Sequence, residues 1–307
     1  MKLVKDKFAN KIMDGKLVAD EIYKSIEKNY QQAMASGELK RPPKLVVILI
    51  GANEASLVYI KQKIKACEML GFDCEIDQHA DSKGYDLEKV RAVIRKHNLR
   101  GSDAGRNGKD GIDGIILQMP LPEGIPKQWA LATINPMYDV DGVHPLSYGE
   151  TALDKELEYY PPCTANGVIK MLEYYKVDIE GKKVVIVGTG IVAGKGIGLM
   201  LMNRGATVTF CNSKTSNLKS ITKEADILIS AVGKSKFIKA DMVKKDAVVV
   251  DVGISRDGEE RLSGDVDFEN VIKKVKLISP VPGGVGKLTV ACLMENLLKA
   301  AIAPRTL

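Results

Sequence analysis

The sequence predicts an α/β fold in two domains, closed by a C-terminal helix that returns to the first. Three observations carry this. A chain of 307 residues exceeds one ordinary core and fits two of average size. Short β-rich runs alternate with amphipathic helical periods, the pattern of a parallel sheet with right-handed helical crossovers. The alternation is interrupted once, between Ser147 and Pro162, by mixed charges and tyrosines ending in Pro161-Pro162. That stretch reads as a linker, which places residues 1–148 with about 288–307 in one domain and 149–287 in the other.

In the first block, Leu17, Val18, Ile22, Ile26, Tyr30 and Met34 recur at helical spacing between Asp14 and Gly37, where the glycine supplies the stop. Lys44 to Ile50 is a β-rich run ending at Gly51. From Ser56 to Leu70, Leu57, Ile60, Ile64, Cys67 and Leu70 share one helical face, again stopped by a glycine, Gly71. Phe72 to Gln78 reads as a weaker strand and Leu87 to Leu99 as a further amphipathic helix. Gly101 to Gly111 is glycine-rich and polar, as in a mobile surface loop, and Gly114 to Leu117 is apolar enough for a buried strand.

The second block starts with a helix from Thr164 to Tyr175, for which Thr164 is the candidate N-cap. A strand at Lys183 to Val187, a glycine turn, a helix at Ile191 to Asn203 and a strand at Thr207 to Cys211 make one βαβ unit. Ile227 to Ser230, Ala247 to Val252 and Leu277 to Ile278 continue the sheet. Pro280 and Pro282 then redirect the chain, so that the last helix, Leu288 to Ile302, folds back on the first domain.

Composition narrows the function. The net charge of +6 is spread without a basic run or interleaved aromatics, which argues against nucleic acid and fits a polyanionic small substrate. No stretch approaches the roughly 20 apolar residues of a membrane span, and Met1 to Lys16 lacks the apolar core of a signal peptide. The cytoplasm is the expected location. Cys67, Cys74, Cys163, Cys211 and Cys292 are scattered and lack metal-ligand spacing, so reduced thiols and no metal site are expected.

The glycine turn runs Val187-Gly-Thr-Gly-Ile-Val-Ala-Gly194, with Gly188, Gly190 and Gly194. Its place between strand and helix fits a Rossmann-type unit, in which a pyrophosphate lies against backbone amides and the dipole of the next helix. A tight structural turn would look the same by spacing alone. At the end of the following strand stand Asn212, Ser213 and Lys214, with no carboxylate to repel a 2′-phosphate. Tyr59 and Lys63, four residues apart, share a helix face. Short-chain dehydrogenases carry such a pair after the glycine turn, whereas here it lies about 125 residues before it. Gln118 ends a buried strand, at the edge where α/β proteins bind ligands. Asp139-Val-Asp-Gly142 and Pro280 to Gly286 form two further loops at strand ends, for which a capping aspartate and a rigid loop are the plain alternatives.

Together Tyr59-Ile-Lys-Gln-Lys63, Gln118-Met-Pro-Leu-Pro122, Asp139-Val-Asp-Gly142, Pro162-Cys-Thr164, Cys211-Asn-Ser-Lys-Thr215 and Pro280 to Gly286 carry a resemblance. Over roughly residues 14–303 the chain resembles the bifunctional methylenetetrahydrofolate dehydrogenase/cyclohydrolases of one-carbon metabolism. The resemblance implies that Lys63 is the catalytic base or proton carrier, that Gln118 orients it, that Tyr59 packs on the folate and that Asp141 grips the amino side of the pterin. It implies that Pro282, Gly283, Gly284 and Val285 line the cleft between folate and nicotinamide. Cofactor binding falls to Gly188, Thr189, Gly190, Gly194, Ser213, Lys214, Gly253, Ile254 and Thr289. The implied cofactor is NADP, with NAD as the alternative, and the implied partners are a folate, with or without a polyglutamate tail, and a second copy of the chain.

Three positions depart from the family. Gly188-Thr189-Gly190 stands where Gly-Arg-Ser is usual, Gly196 where proline is usual, and Lys287-Leu288-Thr289 where Pro-Met-Thr is usual. The missing arginine removes a contact to the 2′-phosphate, for which Ser213, Lys195 or Lys214 are the candidate substitutes. A cyclohydrolase with a degraded cofactor site, an NAD-dependent dehydrogenase and a non-catalytic folate-binding protein are the alternatives. A shikimate-type dehydrogenase shares the domain order but does not explain Asp139 to Gly142.

Overall fold

The computed structural model describes residues 7–51, 54–80, 84–101, 110–153, 160–258 and 261–302. The chain divides into two compact units, one made of Ile22–Glu150, Glu156–Cys163 and Val290–Leu307, the other of Met1–Glu21, Thr151–Lys155 and Thr164–Thr289. The opening segment thus clusters with the second block, whereas the sequence pattern placed it with the first. Backbone pairing is the reason: Ile12 bridges Ile278, the Met13 amide donates to the Ile278 carbonyl at 2.9 Å, and the Gly15 amide donates to that of Gly283 at 2.9 Å. No hydrophobic period announces such pairing.

The first unit is a three-stranded parallel sheet with helices. Helix α1 (Gly15–Ser36) leads to β1 (Lys44–Ile50), and Gly37 ends the helix at a positive φ of 76°. Then come α2 (Glu54–Leu70), β2 (Asp73–His79), α3 (Leu87–Gly101) and β3 (Gly114–Leu117). The strand order is β2-β1-β3, with Leu45 beside Gly114 and Ile48 beside Leu117. Leu45 to Ile50 are all buried, as expected of a central parallel strand covered on both faces. Most of the expected loop between Gly101 and Gly111 lies outside the described residues; Gly101 itself is the last residue of α3.

Two helices follow, α4 (Lys127–Leu131) and α5 (Pro145–Leu153). The second corrects the expected linker from Ser147 onward. Proline at a first helical position has its φ already set, and here it opens the helix. The pattern concealed it because the polarity is inverted: Leu146 and Leu153 are exposed while Ser147 and Thr151 are buried. Residues 154–159 of the expected linker lie outside the described residues.

The second unit holds α6 (Cys163–Tyr174), β4 (Lys183–Val187), α7 (Gly194–Met202), β5 (Thr207–Cys211), α8 (Leu218–Thr222), β6 (Ile227–Ser230) and β7 (Val248–Asp251). A two-stranded antiparallel pair, β8 (Ser255–Arg256) with β9 (Leu262–Ser263), then α9 (Phe268–Val271) and β10 (Leu277–Ile278) complete it. The main sheet is parallel in the order β10-β7-β6-β4-β5. Chain order reverses at β4, which has β5 on one side and β6 on the other, and a switch of this kind opens a crevice at the carboxyl ends of the strands. Helix α6 begins at Cys163, so Thr164 lies inside its first turn rather than at the N-cap, with its hydroxyl 3.4 Å from that of Thr289. Helix α7 begins at Gly194 rather than Ile191, because Ala193 has non-helical dihedrals. The last helix, α10 (Val285–Ile302), is counted with the first unit from Val290 onward, as the expected return requires. There Met294 Sδ lies 3.6 Å from the Cys67 thiol.

Candidate active site

Lys63 sits in the third turn of α2, and its ammonium donates to Oε1 of Gln118 at 2.7 Å. Gln118 is held at the end of β3 by its own backbone, whose amide donates to the Ile48 carbonyl at 2.9 Å. Its side-chain amide has one consistent orientation. Nε2 donates to the Met119 carbonyl at 2.8 Å, a group that can only accept, so Oε1 must face Lys63. The Ser56 hydroxyl, seven residues before Lys63 on α2, donates to the same Met119 carbonyl at 3.2 Å and ties the helix to the strand end. Ser56 was not singled out by the sequence, although it lies one turn before Tyr59 on the same face.

Burial lowers the Lys63 pKa from its ordinary value, while the charges of Asp141, Cys163 and Cys74 act in the opposite direction. Gln118 is neutral and offers an oriented oxygen without a counter-charge, which leaves the lowered basicity in place. Tyr59 is half-buried on α2, and burial raises its phenol pKa.

The two aspartates of the Asp139-Val-Asp-Gly142 loop have different work. Asp139 is fully buried, and its Oδ2 accepts from the His144 amide at 2.7 Å and the Ser147 hydroxyl at 3.2 Å. Its Oδ1 has no hydrogen-bond partner. Burial raises its pKa to about 8 despite those bonds. The capping role that was the plain alternative for Asp141 therefore belongs to Asp139. Asp141 is left for other uses; burial raises its pKa, opposed by the Lys63 charge and a contact from Cys163. Gly142 turns the chain at φ 69°, and a side chain there would come within 2.5 Å of the Pro161 carbonyl. Cys163 and Asn296, which bind this loop, were missed. Cys163 lay in a quoted motif without a role, and a lone amide in an apolar helix gives no signal.

The cofactor-side residues gather separately, in the unit of the second sheet. Gly188, at φ 107°, donates its amide to the Cys211 carbonyl at 2.9 Å, and a Cβ on it would lie 2.2 Å from the Ala231 carbonyl oxygen. Gly194 has no room either, its Cβ position being 1.8 Å from the Gly188 oxygen. Gly190 faces open space. A turn pressed against β5 and β6 and open above its middle glycine, at the start of α7, fits a pyrophosphate. Beside it an Asn212 turn, closed by the Thr215 hydroxyl at 2.8 Å and the Lys214 amide at 2.9 Å, leaves Ser213 and Lys214 exposed. Thr189 is half-buried.

The remaining residues cluster around the start of α10 in the same unit. Gly253 packs against the Asp265 carboxylate, and Ile254, an exposed apolar residue, lies against Gly286. Pro282, Gly283, Gly284 and Val285 form the turn into α10, with Gly283 at φ 109°. Thr289, one turn on, meets Thr164. The structure thus collects Tyr59, Lys63, Gln118 and Asp141 in one unit and the cofactor set with Pro282–Val285 in the other.

Residues 13–141 match the tetrahydrofolate dehydrogenase/cyclohydrolase catalytic domain, and residues 162–304 match the NAD(P)-binding domain of the same family. The bifunctional protein FolD of Bacillus licheniformis is 41% identical over 290 residues, which cover 94% of this chain and 96% of that protein. A crystal structure of the FolD methylenetetrahydrofolate dehydrogenase/cyclohydrolase from Campylobacter jejuni superposes with a TM-score of 0.85 at 39% identity, covering 94% of this chain and 98% of that one. The Trypanosoma brucei enzyme, complexed with NADP cofactor and inhibitor, gives 0.84 at 31% identity over 94% and 96%. Through both of its units, this chain belongs to the tetrahydrofolate dehydrogenase/cyclohydrolase family.

Proposed function

We propose that this chain oxidises 5,10-methylenetetrahydrofolate to 5,10-methenyltetrahydrofolate with NADP and hydrolyses the product to 10-formyltetrahydrofolate. The observation that carries the reading is Lys63, made less basic by burial and held at 2.7 Å by an oriented neutral amide, inside the unit that matches the family's catalytic domain. When bound, the oxidised nicotinamide supplies the hydride acceptor. The folate nitrogens stabilise the cation left behind, so this step asks the protein for placement rather than for an acid or base. Asp141 accepts hydrogen bonds from the pterin amino-amidine edge and Tyr59 covers the ring, while Pro282 to Val285 and Thr289 serve the nicotinamide side within their own unit.

Hydrolysis is the step that needs a proton moved. Water adds to the methenyl carbon, the carbon–N5 bond breaks and the formyl group stays on N10. Of the two water protons, one ends on N5 and one is released. A neutral Lys63 amine accepts the proton from the attacking water and returns it to N5, a role worth about 10²- to 10⁴-fold. Gln118 keeps Nζ aimed without holding it protonated.

The reading includes three finer points. The net charge of +6 suits a folate carrying extra glutamates. Five free thiols suit the reducing cytoplasm. A homodimer completes it. The test is steady-state turnover with methylenetetrahydrofolate and each nicotinamide cofactor. Reduced cofactor should appear and formyltetrahydrofolate accumulate; absence of reduced cofactor with intact methenyltetrahydrofolate hydrolysis would leave a hydrolase alone.

A further inference from the structure

Helix α10 is lined by buried apolar side chains, among them Leu293, Met294 and Leu297, and carries one buried amide, Asn296. Its Nδ2 donates to the Val140 carbonyl at 2.9 Å, to the Pro161 carbonyl at 3.0 Å and to the Cys163 sulfur at 3.3 Å. These acceptors flank one residue. Val140 directly precedes Asp141, and the Cys163 amide donates to the Asp141 carbonyl at 3.0 Å. The Cys163 thiol closes the group by donating to the Val140 carbonyl at 3.1 Å. One amide thus staples together, across 156 and 135 residues of sequence, the two chain segments between which Asp141 is held.

Burying an amide in an apolar helix costs desolvation that is recovered only when its donors are used, and these donors all go to that pair of segments. A carboxylate that must meet a flat amino-amidine edge depends on backbone placed to within a fraction of an ångström. We infer that Asn296 is a positioning residue for folate binding, acting through Asp141. The inference rests on Asp141 being the pterin-binding carboxylate.

A double-mutant cycle in the full chain tests it, with KM and kcat for methenyltetrahydrofolate hydrolysis and NADP affinity as readouts. Asn296→Ser should raise the folate KM about tenfold, change kcat less than about threefold and leave NADP affinity unaltered. In an Asp141→Ala background the same change should have no further effect on KM, because the carboxylate it positions is already gone. An unchanged KM in Asn296→Ser, or an effect that adds in full to that of Asp141→Ala, overturns the inference. If the serine variant does not fold, Asn296→Asp, equal in shape but without the two N–H donors of the amide, is read by the same criteria. Failure of both to fold makes Asn296 a stability residue and also overturns it. If Asp141→Ala alone leaves folate affinity intact, it is the pterin assignment that fails instead.

Discussion

The Lys63 ammonium donates a 2.7 Å hydrogen bond to Oε1 of Gln118, a residue 55 positions away and the first after β3. A neutral oxygen at that distance fixes where Nζ points without fixing its charge. Replacing it by a carboxylate separates the two effects. Gln118→Glu should raise the Lys63 pKa by about 1 to 2 units, the usual consequence of an adjacent opposite charge. Hydrolysis should fall about 10- to 100-fold near neutrality and recover as pH is raised, its pH–rate profile displaced upward by the same amount. A profile that keeps its position would show that Gln118 does not control Lys63.

Asp141→Ala should weaken folate binding and spare NADP. A carboxylate accepting two bonds from an amino-amidine edge contributes about 1.5 to 3 kcal/mol, roughly tenfold or more in affinity. Calorimetry with each ligand measures this. Equal losses for folate and NADP would mark Asp141 as structural.

Asp139 makes an opposite prediction, about stability. Its folded pKa of about 8 lies far above the ordinary 3.8, so between those values the unfolded chain has released a proton that the folded chain retains. Folding stability contributed by this residue therefore falls as pH rises through that window. Asp139→Asn removes the titration and places an amide where the unpartnered Oδ1 now lies. Denaturant unfolding should show the variant gaining on the wild type between about pH 5 and about pH 8, by roughly 4 kcal/mol at about 1.4 kcal/mol per unit of pKa. Parallel stability curves would contradict the assignment.

Thr189 stands where the family resemblance implies an arginine, on a turn whose neighbours Ser213 and Lys214 are exposed. Charge-assisted bonds from arginine to a 2′-phosphate are each worth about 1.5 to 3 kcal/mol. NADP should thus be preferred over NAD by a smaller margin than that arginine would give, because lysines at 195 and 214 act only as point charges. Thr189→Arg should raise the NADP/NAD ratio of kcat/KM about 10- to 100-fold. An unchanged ratio would place 2′-phosphate recognition elsewhere.

Much of this is legible in the sequence alone. Long periodic elements such as α1, α2 and the strand from Lys44 to Ile50 declare themselves, because their apolar spacing is the same thing that buries them. Lys63 and Gln118 were legible as a helix-face lysine and a strand-end amide, though their meeting was not. What stayed hidden has physical reasons. Helices of four or five residues, α4, α8 and α9, span little more than one helical period of about 3.6 residues, too little for a repeat to show. Helix α5 buries serine and threonine and exposes leucine. Pairing of Ile12 with Ile278 uses only backbone. The division of labour between Asp139 and Asp141 depends on which carboxylate faces His144 and Ser147, a fact of loop geometry with no counterpart in spacing.

The two reactions make different demands, placement for the oxidation and a proton carrier for the hydrolysis, the role we propose for Lys63. Lys63→Met separates them. The measurement is one reaction mixture containing methylenetetrahydrofolate and NADP, followed for reduced cofactor and for methenyltetrahydrofolate together. With the wild-type chain, reduced cofactor should form while methenyltetrahydrofolate stays near the level set by its prompt hydrolysis. With Lys63→Met, reduced cofactor should still form, and methenyltetrahydrofolate should accumulate because its hydrolysis is slowed about 10²- to 10⁴-fold. A folded Lys63→Met protein that hydrolyses methenyltetrahydrofolate at the wild-type rate would contradict the account.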